Sequence, residues 1–331
     1  MAGRIRAICA ASLLLLLLAP AMQAQFNYTT NNGTVTITGY TGSGGDVTIP
    51  DKIEGLPVTR IGDDAFYACA SLTGVVIGNS VTRIGNGAFD RCTNLTIAMI
   101  GDSVTNIGCF AFSHLYSLTN VTIGQSVASI ECNAFAVCSS LARLIIPNSV
   151  TGIGYGAFLI CTSLTNITIG NSVTHVSDNA FRGCTSLTTL TMPGSLASIG
   201  VEAFSGCIHL TSIYFKGNAP STIRSAFYED TNATVYYLPG TTGWDTTLGG
   251  APTAVWPQVQ TSAPSFGVGT NGFGFNFLAG SNAVIVVEAA TNLASPVWES
   301  VGTNTLTNGS ASFSDPGWTN QPSRFYRLRS P

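Results

Sequence analysis

The sequence predicts a repeat solenoid followed by a small all-β domain, and three observations carry that prediction. A unit of 23 residues recurs through the middle of the chain, with its leucine at Leu72, Leu95, Leu118, Leu141, Leu164, Leu187 and Leu210. An Ala-Phe pair keeps the same spacing, from Ala65-Phe66 to Ala203-Phe204 and again at Ala226-Phe227. Five strand-like runs then fill the last part of the chain. A fixed period of about 20–30 residues with constant apolar positions is typical of stacked coils that bury a shared core.

The composition excludes several kinds of partner. Charged residues make up 9% of the 331 residues and the net charge is −3, whereas an average soluble domain has roughly 25% charged residues. The 13 lysines and arginines are scattered along the chain. Nucleic acids and anionic lipids bind clustered basic residues, so we expect neither as a partner.

Residues 1–24 have the organisation of a secretory signal peptide. Two arginines precede an apolar run centred on Leu13–Leu18, and small residues follow, with Ala21 and Ala24 as alternative cleavage positions. The alternative is a transmembrane anchor, which is disfavoured because the run is shorter than the ~20 residues that a bilayer requires. The sequence therefore predicts a secreted or cell-surface protein with no transmembrane segment after signal removal.

Residues 25–56 are predicted to cap the N-terminal end of the solenoid. Thr34–Thr38 and Asp46–Pro50 alternate as two short strands around a glycine-rich turn, outside the 23-residue frame. A terminal unit must differ from the others because an end coil would expose its apolar core.

Residues 57–239 are predicted to form the solenoid itself. In one representative unit, Leu164, Ile167 and Ile169 fit a strand with one buried face. The return path supplies further core positions: Val150, Ile153, Ala157, Phe158 and Cys161. Stacked strands lie ~4.8 Å apart, so the phenylalanines from Phe66 to Phe227 should form an internal ladder.

The repeat pattern, roughly S-V-T-x-I-G-x-x-A-F-x-x-C-x-S-L-T-x-[VI]-x-I-[PG], resembles the BspA-type leucine-rich repeats of secreted and surface proteins. The resemblance covers about residues 46–239, with few departures: Leu115 stands at the cysteine position, Val176 replaces an isoleucine and Ala98–Ile100 is an irregular strand. It implies a right-handed curved leucine-rich-repeat solenoid with strands on one face. It also implies surface display, adhesion and protein binding.

The chain after the last coil is predicted to contain three further segments. Residues 240–256 should form an irregular C-terminal cap, residues 257–264 a linker, and residues 265–331 a small antiparallel β-sandwich. The sandwich is similar to the short immunoglobulin-like or sorting-type domains that end many secreted bacterial proteins, which implies a carrier, spacer or attachment role.

Motifs with chemical meaning are sparse, and we expect no catalytic, cofactor or metal site and no enzyme. Gly267–Gly272 matches a dinucleotide-binding fingerprint but opens a strand, without the helix that would hold a pyrophosphate. His114, His175 and His209 occupy different columns of the repeat. Between Asp102 and Asp178 the only acidic residue is Glu131, which leaves little for a carboxylate pair or a metal site.

The cysteines fall into two groups. One column is expected to hold free, buried thiols: Cys69, Cys92, Cys138, Cys161, Cys184 and Cys207. Cys109 and Cys132 share another column on adjacent coils, where their Cα atoms should come within the range for a disulfide. In an oxidising compartment this pair predicts a cross-link; the alternative is that parallel side-chain directions keep both thiols free.

Two functional classes remain: a binding or adhesion module for an extracellular protein or glycan, and a structural envelope or matrix protein without a dedicated ligand. The binding hypothesis places the partner on the outward strand positions, whose apolar members lie toward the N-terminal half. The candidate residues are Val76, Ile97, Met99, Asn120, Thr122, Arg143, Ile145, Asn166, Thr168 and Tyr214.

Overall fold

The structure, a computed structural model, describes residues 25–221, 224–270, 272–280, 283–320 and 323–329. The predicted signal peptide lies outside the described residues. The chain divides into two compact units. Of the described residues, the first unit contains those up to Ser212 together with Pro220–Ala233 and Gly249–Ala251, and the second contains Ile213–Ala219, Thr234–Leu248 and those from Pro252 onward. No helix of the described residues has the length and apolar character needed to cross a membrane.

The first unit begins with five strands that precede the regular coils. They are β1 (Phe26–Asn31), β2 (Thr34–Tyr40), β3 (Gly45–Thr48), β4 (Lys52–Ile53) and β5 (Leu56–Ile61). Strands β1 and β2 form an antiparallel hairpin, and β2 then pairs in parallel with β5. The two strands predicted for this region therefore exist, and β1 and β4 are additional strands.

Each regular coil contributes one longer strand and one strand of two residues. The longer strands are β6 (Leu72–Ile77), β8 (Ile97–Ile100), β10 (Asn120–Thr122), β12 (Arg143–Ile145), β14 (Asn166–Thr168) and β16 (Thr189–Met192). The two-residue strands are β7 (Arg83–Ile84), β9 (Asn106–Ile107), β11 (Ser129–Ile130), β13 (Gly152–Ile153), β15 (His175–Val176) and β17 (Ser198–Ile199).

The two kinds of strand form two separate parallel ladders. The longer strands follow one another in the order β3, β6, β8, β10, β12, β14 and β16, and we call this stack the long-strand ladder; it carries the outward strand positions predicted from the repeat, and it is hydrogen-bonded from β3 to β10 and between β12 and β14. The short-strand ladder continues from β5 through β7 to β17 without interruption. The predicted solenoid is confirmed, and the return path, expected only to supply core residues, also forms a sheet.

The core of the first unit is a set of stacked columns. The eight phenylalanines of the Ala-Phe pairs, spaced by 23 residues from Phe66 to Phe227, are at most 2% exposed. Their neighbouring rings have centroids 4.7–5.6 Å apart and planes within 20° of each other, which confirms the predicted ladder. Tyr40 of the hairpin stacks on Phe66 at 5.2 Å, so an aromatic side chain outside the repeat frame covers the first ring of the column.

The turns that carry the Ala-Phe pairs form a third set of backbone hydrogen bonds between neighbouring coils. The amide of Phe89 donates to the carbonyl of Ala111 at 2.8 Å, and the amide of Phe135 donates to that of Ala157 at 2.8 Å. Two residues in each turn have positive φ; Val137 at 62° is one example. This conformation costs an L-residue about 1–2 kcal/mol, and the bonds to the next coil offset that cost.

The second unit begins with four strands, which are β18 (Ser212–Phe215), β19 (Thr234–Tyr237), β20 (Thr247–Leu248) and β21 (Ala251–Val255). Strand β21 pairs in parallel with β19, with Val235 opposite Thr253. The expectation that residues 240–256 are irregular is therefore wrong, because Thr247–Leu248 and Ala251–Val255 form strands although polar residues dominate this stretch; their role as a cap stays a prediction.

The remaining strands form two antiparallel sheets. They are β22 (Gln258–Val259), β23 (Gly267–Gly269), β24 (Gly272–Leu278), β25 (Val284–Ala290), β26 (Glu299–Thr305), β27 (Ser310–Asp315) and β28 (Phe325–Arg329), with one 3-10 turn at Trp318–Asn320. In the first sheet, β24 pairs with β22, β23 and β27; in the second, β25 lies between β26 and β28. A shared core includes Phe275, Phe277, Ile285, Val287 and Leu306. Because β22 pairs with β24, part of the predicted linker belongs to this domain.

Candidate functional site

The candidate surface is the outward side of the long-strand ladder, which we call the strand face. Burial alternates along each strand: in β12, Leu144 is buried while Arg143 and Ile145 are exposed. Four large apolar side chains of the strand face are exposed: Val76 by 39%, Ile97 by 45%, Met99 by 48% and Ile145 by 66%. Single exposed apolar residues are common on protein surfaces, so the informative feature is that these four lie on one face.

The 23-residue register brings the predicted residues together in two groups. In the first group, Val76 pairs with Met99 and Met99 with Thr122, and Ile97 pairs with Asn120. In the second group, Arg143 pairs with Asn166, and Ile145 pairs with Thr168.

The long-strand ladder is interrupted at two places. Strands β10 and β12 are not hydrogen-bonded, and neither are β14 and β16. Each interruption precedes a coil whose strand is followed by proline, Pro147 or Pro193, whereas glycine follows β6, β8, β10 and β14 and a proline, Pro50, also follows β3. The repeat pattern alone does not reveal these interruptions, because the 23-residue register is kept across both of them.

The interruption between β10 and β12 coincides with a shallow pocket of about 240 Å³. Four of the predicted residues line it, namely Asn120, Thr122, Arg143 and Ile145, and Gln125 completes its polar wall. The pocket thus offers amide, hydroxyl and guanidinium groups beside one exposed apolar side chain.

Tyr214 lies in the second unit in different surroundings. Its ring stacks on Tyr236 with a centroid distance of 5.2 Å and contacts Trp256 at 4.7 Å. All three side chains are half-buried. Tyr214 therefore belongs to an aromatic cluster on β18, β19 and the end of β21.

The cysteine column has a hydrogen-bonding role. The thiols of Cys92, Cys138 and Cys161 donate to the phenylalanine carbonyls of the preceding coils at 3.0, 3.2 and 3.2 Å. Burial raises the pKa of Cys92 to about 12, so its thiol keeps the proton that it donates. The six cysteines of the column are free in the structure.

Cys109 and Cys132 are joined by a disulfide in the structure, with their Cα atoms 4.6 Å apart. Both cysteines are partly exposed. The bond connects two adjacent coils at the column where Asp63 and Asn86 use their side chains to accept backbone amides of the following coil. At this column, the disulfide takes the place of the hydrogen bond that a side chain such as Asp63 or Asn86 accepts from the backbone of the following coil.

One group of residues combines serine, histidine and aspartate. Nδ1 of His114 lies 2.9 Å from Ser113 Oγ and 3.0 Å from Asp90 Oδ1. A catalytic triad needs the serine and the acid at opposite ring nitrogens, whereas here both contact the same nitrogen and Ser113 is buried. This geometry does not activate a nucleophile.

Across the described part of the chain, no three His, Cys, Asp or Glu side chains are grouped to hold a metal ion. The glycines of the Gly267–Gly272 motif lie on β23 and β24, which form an antiparallel pair. The motif therefore belongs to a hairpin.

The stacked coils and their leucine columns define the class of protein, a leucine-rich-repeat solenoid. The family model of the BspA type leucine rich repeat region matches residues 59–186 and 153–243 in six copies. The match extends over more than half of the chain, and the chain belongs to this family.

Solved structures agree with this assignment. A leucine rich cell surface protein from Faecalibacterium prausnitzii A2-165 is 29% identical over 66% of this chain and 70% of its own, with a TM-score of 0.56. A leucine-rich-repeat protein of T. pallidum is 34% identical over 56% of this chain and 88% of its own, with a TM-score of 0.53. No curated protein sequence gave a significant match.

Proposed function

We propose that this protein is a non-catalytic binding module, secreted or displayed at the cell surface, that holds an extracellular protein or glycan on its strand face. The observation that carries the proposal is the exposure of Val76, Ile97, Met99 and Ile145 on that face. Exposed apolar patches on a protein surface mark interaction sites. The signal-like N-terminal sequence and the similarity to a leucine rich cell surface protein support the location.

The proposal predicts that Met99→Ser combined with Ile145→Ser weakens partner capture. The full chain would be tested against arrays of purified extracellular-matrix proteins and cell-envelope polysaccharides. Losing two buried apolar contacts should weaken the affinity about tenfold or more. The unfolding free energy should change by less than about 0.5 kcal/mol because both side chains are exposed.

The matched control is Val201→Ser combined with Ile208→Ser, which removes exposed apolar side chains that are not on the strand face. Capture that responds equally to both double variants would contradict the proposal. Capture of no member of either array would favour the structural alternative, an envelope or matrix protein without a dedicated ligand.

A further inference from the structure

Arg143 is the one cation among the described outward residues of the long-strand ladder. Asp46 on β3 is the only acid at these positions, and its carboxylate accepts a hydrogen bond from Thr73 at 2.8 Å. Counted along the ladder, Asp46 is four coils from Arg143, or about 19 Å at the spacing of paired strands. That distance exceeds the Debye length of about 8–10 Å at physiological salt.

Within the described residues, Arg143 has neither an ion pair nor a side-chain hydrogen bond. The other arginines on exposed surfaces of the chain include several with carboxylate partners, such as Arg182 with Glu202. The exposed guanidinium of Arg143 is therefore available to a ligand.

Arg143 has polar residues on both sides and an apolar residue along its own strand. The ladder is interrupted on the β10 side, where Asn120, Thr122 and Gln125 line the same pocket of about 240 Å³ as Arg143. On the other side, Asn166 is its register partner in β14. Ile145, two residues along the same strand and 66% exposed, provides an apolar contact at about 6.6 Å along the strand.

This arrangement fits a carboxylate next to an apolar group. A guanidinium presents a planar set of donors that matches a carboxylate in a bidentate manner, and the flanking amides can hydrogen-bond the backbone of a bound segment. We propose that the pocket between β10 and β12 binds an extended segment of a partner protein in which an aspartate or glutamate, bound by Arg143, neighbours an apolar residue packed on Ile145. The proposal rests on the function proposed above and specifies its partner.

The apolar part of the strand face favours a protein over an acidic polysaccharide. Val76, Ile97 and Met99 continue the surface beyond Thr122, and each is between 39% and 48% exposed. Apolar side chains of a protein partner would bury this area, whereas the hydroxyl groups of a polysaccharide would lose hydrogen bonds to water there.

The test uses an array of immobilised peptides of eight residues, in which a central glutamate is flanked by leucine or phenylalanine. A matched array replaces the glutamate by glutamine. For the full-length wild type, we expect the best glutamate peptides to bind about tenfold more tightly than their glutamine counterparts, since hydrogen bonds between charged groups exceed neutral ones by about that factor. The preference should weaken as salt is raised.

Arg143→Gln should abolish the preference for glutamate. Arg143→Lys, which keeps the charge but loses the bidentate geometry, should retain part of it. Arg83→Gln removes an exposed arginine from the short-strand ladder, and this control should bind as the wild type does. Thermal unfolding of each variant checks that the solenoid is intact.

Equal binding of the two peptide arrays by the wild type would overturn the proposal, and so would an unchanged preference in Arg143→Gln. Binding of uronic acid oligosaccharides, in place of peptides and dependent on Arg143, would overturn the choice of a protein partner. If Met99→Ser with Ile145→Ser abolishes capture while Arg143→Gln does not, the proposed function stands and this inference fails.

Discussion

At the residue scale, the cysteine column pairs buried thiols with backbone carbonyl acceptors. Each buried thiol donates a hydrogen bond to a phenylalanine carbonyl of the preceding coil, as Cys207 does to Phe181 at 3.3 Å. The next member of the column is Asp230, which is 5% exposed. A carboxylate has no proton to donate, and neither oxygen of Asp230 has a partner at hydrogen-bonding geometry.

Burial raises the pKa of Asp230 to about 7, and the charge of Glu229 adds to the rise; the backbone amide of Cys207 offsets part of it. Because the pKa is higher in the folded than in the unfolded state, the protonated acid favours folding. This contribution is complete below about pH 4 and is lost as the pH rises through about 7.

We therefore predict that Asp230→Asn stabilises the protein at pH 8 but not at pH 4. At pH 8 the gain should be about 1–3 kcal/mol, the usual cost of an unsatisfied buried polar group. Chemical denaturation at both pH values measures it, and Asp230→Cys, which restores the thiol column, should behave in the same way. The exposed acid Glu229, replaced by Gln, is the matched control; an equal response there would refute the assignment to Asp230.

At the scale of the element, the phenylalanine column and the ladders depend on each other. The coils are held in register by backbone bonds along both ladders and the Ala-Phe turns, and this register places each ring over the next. Phe135 stacks on Phe112 at 5.2 Å and on Phe158 at 5.4 Å. A ring in the middle of the column thus has an aromatic neighbour on both sides.

Phe135→Ala should lower the free energy of unfolding by about 3–5 kcal/mol, because it removes a buried ring and leaves a cavity that rigid coils cannot close. Urea denaturation followed by circular dichroism measures the change. Phe135→Leu, which keeps most of the volume, should cost much less. Similar losses for the two variants would show that the column does not depend on filled volume.

At the scale of the whole molecule, the chain relies little on charge. With 9% charged residues, its stability comes from apolar burial and from backbone bonds between coils. Most contacts in such an array connect neighbouring coils. The Cys109–Cys132 disulfide adds a covalent link to this arrangement across a sequence separation of 23 residues.

Reduction of this disulfide should destabilise the protein by up to about 3 kcal/mol, since the unfolded chain regains the entropy that a closed loop of this length removes. Unfolding with and without reductant measures the effect. In Cys109→Ser with Cys132→Ser the reductant should have no effect, because the other described cysteines are free. A response to reductant that persists in this double variant would contradict the prediction.

The sequence by itself determined the period, and with it the identity of every stacked column. A constant repeat of 23 residues places Phe135 under Phe158 and Ile97 beside Asn120, whatever the detailed path of each coil. For the same reason, the exposed and buried positions of the strand face could be assigned in advance, and so could the proximity of Cys109 and Cys132.

Only the tertiary structure decided where strands pair. Strands β10 and β12 share the register of their neighbours but are not hydrogen-bonded, while Ala251–Val255 pairs as a strand despite its polar surroundings. The physical reason is that a sequence period specifies which residues are stacked, whereas a backbone hydrogen bond requires the amide and carbonyl of two coils to meet within about 3 Å. That distance depends on the path of each coil, and the pocket beside Arg143 lies where β10 and β12 are not paired.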